Sequence, residues 1–453
     1  MIEQLEYQGV WWLPENPEQQ ISGILKFSPN EGATLDLIGS FKEIKNIEKV
    51  LQPEIVLGIS SDGKSITLYH CFETKSTISS SGLQISSLYA NFAFIGAHFQ
   101  KREDIRFNKL FIHYSNLDEW VNISGFDITH DLSKKEVAIK YRLPEPVHAD
   151  IGEDYTIMVD IRATSPGWSL VQKEAKVTQT TYICIEPHEP KFFNEYLKVT
   201  HNIQNLLTLA VGEPVYPLAI EGKTEASKEM IDDRPYYPSV NMFYTYPNTP
   251  KALKTIAPYK MLFTFKEIAD RFEYFANNWF KKAEVLEPVY DLYFATLYNP
   301  RMYLQQRFLS LVHAVEAYHR RTMKNYELSQ DEHNTRIKEI LNAAPLKRKK
   351  WLRDKLTYSN ELTLRKRLRE ILDSYWDIGQ LEGNKDEFIS KVLATRNYLI
   401  HYDSKLKEQA ASGEELYYIT VKLKVLMETV LLTVLGFGLQ DIESLLCRRR
   451  GFQ

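Results

Sequence analysis

Near the end of the chain, Thr395-Arg396-Asn397-Tyr398-Leu399-Ile400-His401 brings an arginine, an asparagine and a histidine within six residues. Each suits a step of phosphoryl transfer. An imidazole can take a proton from a hydroxyl or hand one to a leaving oxygen. The planar fork of a guanidinium neutralises charge growing on phosphoryl oxygens better than a lysine does. If the attacking hydroxyl is a ribose 2′-OH, the pair needs no metal and leaves a 2′,3′-cyclic phosphate and a 5′-hydroxyl. DNA, lacking that hydroxyl, is refused. With 20 arginines and 11 histidines, an Arg-x4-His pair alone is weak, since about half a match is expected by chance. Asn397 directly after the arginine makes the match rarer. The bland alternative is an interfacial His401 and an Arg396 in a surface ion pair.

A helix must carry these groups. Five residues of about 100° each set Arg396 and His401 roughly 140° apart, so they converge best at a helix end. Asn397 and His401, at i and i+4, share a face. The carbonyl end of a helix favours a cation, and histidine is the side chain that exchanges a proton near neutral pH. The spacing of Phe388, Val392, Thr395 and Leu399 predicts a helix over 385–402. From Asn299-Pro300 onward the chain reads as helical, with Asn299 the expected N-cap and Pro300 the first helical residue. Leu304, Phe308, Leu311, Val315 and Tyr318 make one stripe to about Met323, and further helices are predicted at 331–343, 361–378 and 414–435. The last stops at Gly436 and Gly438. Five amphipathic helices with short connections make a bundle.

The first 185 residues read differently. Ala33–Leu37, Val137–Leu143 and Tyr155–Ile161 alternate apolar and polar residues, as half-buried antiparallel strands do. Turns such as Asp62-Gly63 and Pro29-Asn30 separate such runs. Residues Phe41–Leu51 read as a short helix or an irregular loop. Of the adjacent Trp11 and Trp12, one should enter the sheet core and the other point out, a candidate contact for a partner. Residues 186–296, with helical spacing at Phe192–Leu209 and Phe263–Glu284 around a Pro/Tyr-rich stretch, read as a partly helical connecting region. The expected architecture is therefore α+β and multidomain: an antiparallel β-rich domain (1–185), the connector (186–296) and an all-α helical bundle (297–453).

The late-helix R-N-x3-H of a small bundle resembles the HEPN superfamily, many of whose members are metal-independent RNases. The earlier helix, Leu309-Ser-Leu-Val-His-Ala-Val-Glu316-Ala-Tyr-His319-Arg320, is similar to the second signature of the ApeA-like HEPN branch, in which an acidic residue sits on the facing helix. Tyr7-Gln-Gly-Val-Trp-Trp-Leu-Pro, Ile21-Ser-Gly-Ile-Leu and Ala33–Phe41 resemble the ApeA-type N-terminal domain. The resemblance implies a bacterial anti-phage effector acting by abortive infection: a metal-independent endoribonuclease with tRNA as a candidate substrate. In it Arg396 and His401 are catalytic, Asn397 and Glu316 support them, and Glu316 orients or pairs Arg396. It also implies a homodimer through the HEPN domain, with both motifs facing a shared cleft, and a regulatory N-terminal domain that meets a phage-derived trigger. The rival reading is a non-catalytic HEPN module that binds nucleotide or RNA, or scaffolds a defence complex; a carbohydrate-binding β-sandwich rests on fold analogy alone.

Charge and composition bear on partners. Residues 301–453 hold 27 Lys and Arg against 20 Asp and Glu, whereas 1–300 hold 29 against 39. The C-terminal part therefore suits a polyanion, although long exposed helices favour such residues anyway. Lys347, Arg348, Lys349 and Lys350 with Arg353, followed by Arg365, Lys366, Arg367 and Arg369, are dense enough to bind phosphates. Arg320 is a further candidate RNA contact, as is Tyr402, which can stack on a base. Glu316 can equally be an ordinary carboxylate pairing Arg320 at i+4. No metal or cofactor is expected: His313 and His319 are six apart, wrong for a two-histidine zinc pair, and no phosphate-binding glycine loop or G-x-S-x-G is present. At 453 residues, 44% hydrophobic and 25% charged, the chain suits two or three folded domains. Its longest apolar stretch, Val425–Leu439, is interrupted by Glu428 and too short to span a bilayer. Cys71, Cys184 and Cys447 form no disulfide framework, and MIEQLEYQ has no signal-like apolar region. The expectation is a cytoplasmic protein without membrane contact.

Overall fold

Six strands of the N-terminal half close on themselves. In the computed structural model, β1 (Leu5–Leu13), β2 (Asn16–Ser28), β3 (Gly32–Leu37), β4 (Ile55–Ser60), β5 (Ser65–Ile78) and β6 (Gln84–Ile95) pair in the order β6-β3-β2-β1-β4-β5. A further antiparallel pairing of β5 with β6 shuts the ring. Closure leaves these strands no free edge over the paired length. The alternation read from the sequence turns Leu25, Leu35, Leu37, Val56, Ile66, Leu68 and Leu88 inward around Trp11. Gly58 makes room for that indole: a Cβ there would lie 2.2 Å from the ring. The structure describes residues 4–450 apart from 43–49, 79–83, 169, 247–248, 251, 379–380 and 382. Most of Phe41–Leu51, read as a helix or loop, thus lies outside the described residues.

Strand β6 also continues the same sheet beyond the closed ring. Its residues 86–90 pair with β3, while residues 92–95 pair with Val240–Tyr244. From there the strands run in the order Val240–Tyr244, Pro217–Lys223, Lys109–Tyr114, Thr178–Pro187, Tyr155–Thr164 and Val147–Ile151. Helix α1 (Leu117–Val121) and helix α2 (Phe193–Val211) complete this unit. Phe193 sets its ring edge-on to Phe92 and Phe94, and the Tyr196 hydroxyl donates to the Phe107 carbonyl at 2.7 Å.

Three expectations are corrected here. The stretch 186–296 is no mere connector, because it supplies two strands to this sheet and the division between the two compact units falls after Asn277. These strands, Pro217–Lys223 and Val240–Tyr244, are short and carry little alternation of their own, so their partners make them strands. The alternating Val137–Leu143 does form a strand, Glu136–Tyr141, but among the described residues it pairs only with Phe126–Asp131, and Ile128, Val137 and Ile139 are exposed. Alternation shows that a strand has two unlike faces; it does not say that something covers the apolar one. Of Trp11 and Trp12, one is expected to point outward as a partner contact, but both are buried, Trp11 in the barrel core and Trp12 with its ring 5.4 Å from His98.

The second unit, Asn278–Gln453, is helical. Helix α3 (Phe272–Tyr298) leads into α4 (Leu304–Thr322), α5 (Gln330–Ala343), α6 (Lys349–Leu356), α7 (Leu364–Tyr375), α8 (Lys385–His401), α9 (Gly413–Leu435) and α10 (Leu439–Arg450). Its core comes from the predicted stripes of α4 (Phe308, Leu311, Val315) and α8 (Phe388, Val392), joined by Leu368 and Ile371 of α7 and Leu416, Leu423 and Val430 of α9. Asn299 and Pro300 sit in the turn after α3, and α4 is capped at Tyr303 instead. An Asn-Pro pair serves a helix end as readily as a helix start. Helices α6 and α10 were not expected; Gly436 ends α9 with φ 110°, but the chain turns helical again three residues later.

Candidate active site

Helix α8 begins cleanly, with the Asn384 side chain accepting from the Glu387 amide at 3.0 Å. Phe388, Ile389, Val392 and Thr395 are buried, which fixes the rotation of the helix. That rotation leaves Arg396 and Asn397 half-buried and His401 exposed at the last turn. Tyr402 follows in the left-handed region at φ 51°, its amide donating to the Tyr398 carbonyl at 2.6 Å. The backbone thus leaves the helix directly after His401. Thr395 secures the return, its hydroxyl accepting from the Ala411 amide at 2.8 Å.

The guanidinium of Arg396 donates to Asn397 Oδ1 at 3.1 Å, while its Nε is buried with no partner among the described residues. A buried donor without a partner carries an uncompensated desolvation cost in this conformation. His401 has no hydrogen-bond partner among the described residues. Tyr402 is 70% exposed, and its ring lies 5.7 Å from that of Tyr398.

The other expected residues sort differently. Glu316 pairs with Arg320 at 3.2 Å rather than with Arg396, and Arg320 also reaches Glu361 at 3.1 Å. Glu316 and Arg320 are one helical turn apart, so the pair forms without tertiary help. Despite the cost of desolvation, Glu361 and Glu316 hold the Arg320 guanidinium above its ordinary value. Lys347 and Arg348 lie in a short turn of 3₁₀ helix, and Lys349 and Lys350 open α6.

Arg367, counted in the sequence among cations able to bind phosphates, is fully buried. Its Nε donates to the Leu362 carbonyl at 3.0 Å, and one amino group donates to His319 Nδ1 at 3.0 Å and to Asn325. Arginine only donates, so His319 Nδ1 accepts and Nε2 carries the hydrogen to Glu370 at 2.7 Å. Burial first, and Arg320 second, push the Arg367 guanidinium below its ordinary value. The signal was in the sequence: Arg367 stands four residues before Ile371 and eight before Tyr375, on the buried stripe of α7. Among the described residues no cluster of three His, Cys, Asp or Glu side chains could hold a metal ion. Nor, among them, is any helix long and apolar enough to cross a membrane.

Two family models match the chain. One, the ApeA N-terminal domain 1, covers residues 6–279. The other, the Apea-like HEPN domain, covers residues 309–441, and so spans Glu316, Arg396, Asn397 and His401. Comparison with curated proteins and with solved structures gives no match.

Proposed function

The chain belongs to the ApeA family, its N-terminal ApeA domain followed by an ApeA-like HEPN domain of the kind found in nuclease-type anti-phage effectors, and we propose that it is a metal-independent endoribonuclease. The observation that carries this reading is the end of α8, where Arg396 is held by Asn397 with an open Nε and His401 stands exposed one turn on.

The reaction follows from these groups. A ribose 2′-oxygen attacks the adjacent phosphorus, and the bond to the 5′-oxygen breaks. His401 takes the 2′ proton or, once protonated, supplies one to the leaving 5′-oxygen. Arg396 neutralises the negative charge on the non-bridging oxygens of the crowded phosphorus. One histidine cannot hold both protonation states at once, so a second copy facing the first would complete the acid–base pair. Ile400 and Tyr402, both exposed beside the motif, supply apolar surface for that homodimer. In the cell the protein acts in the cytoplasm, on tRNA or other RNA, under the control of an N-terminal domain that meets a phage-derived trigger.

The test is incubation of wild-type and His401→Ala protein with total RNA in EDTA, followed by analysis of the ends. Wild type should cleave and leave 2′,3′-cyclic phosphates, and the variant should not. Cleavage that vanishes with chelator and returns with Mg²⁺ or Mn²⁺ overturns the mechanism. RNA bound but never cut would mark a binding or scaffolding module.

A further inference from the structure

Helices α5 and α6 pack on each other as a hairpin between α4 and α7. Its seam is thin: Ile337, Leu341, Leu352 and Leu356 are only half-buried, His333 is the buried residue of α5, and α6 buries none. At the tip, residues 346–356 hold six cations, Lys347, Arg348, Lys349, Lys350, Arg353 and Lys355, against one carboxylate, Asp354. None of the six makes an ion pair among the described residues. The next basic run differs: Lys366 pairs with Glu327, Arg369 with Asp386, and Arg367 is buried.

Two further features mark the tip. Lys349 and Lys350 open α6, where the helix dipole favours anions, so the arrangement is unfavourable until an anion neutralises it. Trp351 is 58% exposed, and Lys355 lies four residues after it on the same face of α6, while Lys347 and Arg348 come just before the helix in the 3₁₀ turn. An exposed indole flanked by unpaired cations has the chemistry of a single-stranded nucleic-acid grip: cations for phosphates, ring for a base.

We infer that the α5–α6 hairpin is a second RNA-holding element, in which Lys347, Arg348, Lys349 and Lys350 take consecutive phosphates and Trp351 stacks on an unpaired base. The inference rests on the ribonuclease reading above, and assigns its substrate class as RNA with an unpaired stretch. The grip tolerates any sequence, because the ring reads only a π-face and the cations only phosphates.

The experiment uses full-length His401→Ala protein, which should bind RNA without cutting it, and a fluorescent unpaired RNA oligonucleotide titrated over a range of salt. Trp351→Ala in that background should weaken binding by about 5- to 150-fold, and Trp351→Phe should restore most of the loss. Replacing Lys347, Arg348, Lys349 and Lys350 together by glutamine should flatten the dependence of log affinity on log salt by about 0.7 per lost phosphate contact. These side chains are outside the core, so circular dichroism should match the parent. RNA affinity and salt slope unchanged in both variants overturn the proposal. So do variants that bind RNA like the parent but change the mass of the protein in solution, which would make the tip a protein-docking surface. Cleavage by otherwise wild-type protein, followed separately, keeps the two readings apart: binding that depends on the hairpin without any cleavage fails the nuclease alone, and cleavage with binding indifferent to the hairpin fails the hairpin alone.

Discussion

Arg396 and His401 stand on a helix whose buried face is made by other residues, so their chemistry and their folding roles can be separated. His401→Ala removes the proton-transfer group and should lower the cleavage rate by about 10²–10⁴-fold. Arg396→Ala should cost about 10²–10³-fold through lost charge stabilisation. Both variants should melt where the wild type does, because the buried positions of α8 are Phe388, Ile389, Val392 and Thr395. A fall in cleavage accompanied by a fall in melting temperature would make the two residues structural. Asn397 was legible as a neighbour sharing a helix face with His401; its bond to Arg396 depends on rotamers that spacing does not define. Glu316 shows the same limit, since the local partner Arg320 took the carboxylate expected to face α8.

At the level of elements, the buried carboxylate of Glu428 ties three helices together. It accepts from Arg449 of α10 at 2.8 Å and from Tyr293 of α3 at 3.3 Å, and Lys424 of its own helix lies 3.6 Å away. Burial raises its carboxyl, but Lys424, Arg449 and Tyr293 outweigh burial and leave it below the ordinary 4.5. A depressed carboxylate stabilises the fold fully above its unfolded value and less as pH falls through the folded one. Glu428→Gln should therefore destabilise the helical unit by about 3 kcal/mol at pH 7, in the range for breaking a buried pair. The deficit should shrink as pH drops below about 4.5. Denaturant titrations of both proteins at pH 7 and pH 4 check this, and a deficit that stays constant or widens in acid contradicts it.

At the scale of the whole molecule, the proposed mechanism asks for two copies of the α8 motif. Ile400 and Tyr402, 39% and 70% exposed beside His401, are the surface such a pairing would bury. Mixing His401→Ala with Arg396→Ala protein should recover part of the activity, because a heterodimer retains one histidine and one arginine across the shared cleft. Neither protein alone should recover on standing. Full activity from a species of monomeric mass at nanomolar concentration would contradict the shared site.

Local periodicity was enough to divide the chain into a strand-rich beginning and a helical end, and to place α4, α8 and α9 within a few residues, because burying one face imposes a period of two or 3.6 on the sequence itself. Arg396, Asn397 and His401 could be put forward as candidates from the sequence alone, because a motif of six residues on one helix needs no knowledge of distant partners. What only the tertiary structure decided were pairings between residues far apart. The pairings of β3 with β6 and of β1 with β4, which join hairpins distant in the chain into the barrel, leave no mark on any of these strands alone. The strands Pro217–Lys223 and Val240–Tyr244 become strands through the neighbours they join. Arg367 stands at the period of the buried stripe of α7, but the groups that receive its guanidinium there, the Leu362 carbonyl, His319 and Asn325, are set only by the fold. In each case the deciding free energy lies in a contact across the fold, and a contact of that kind has no period along the chain.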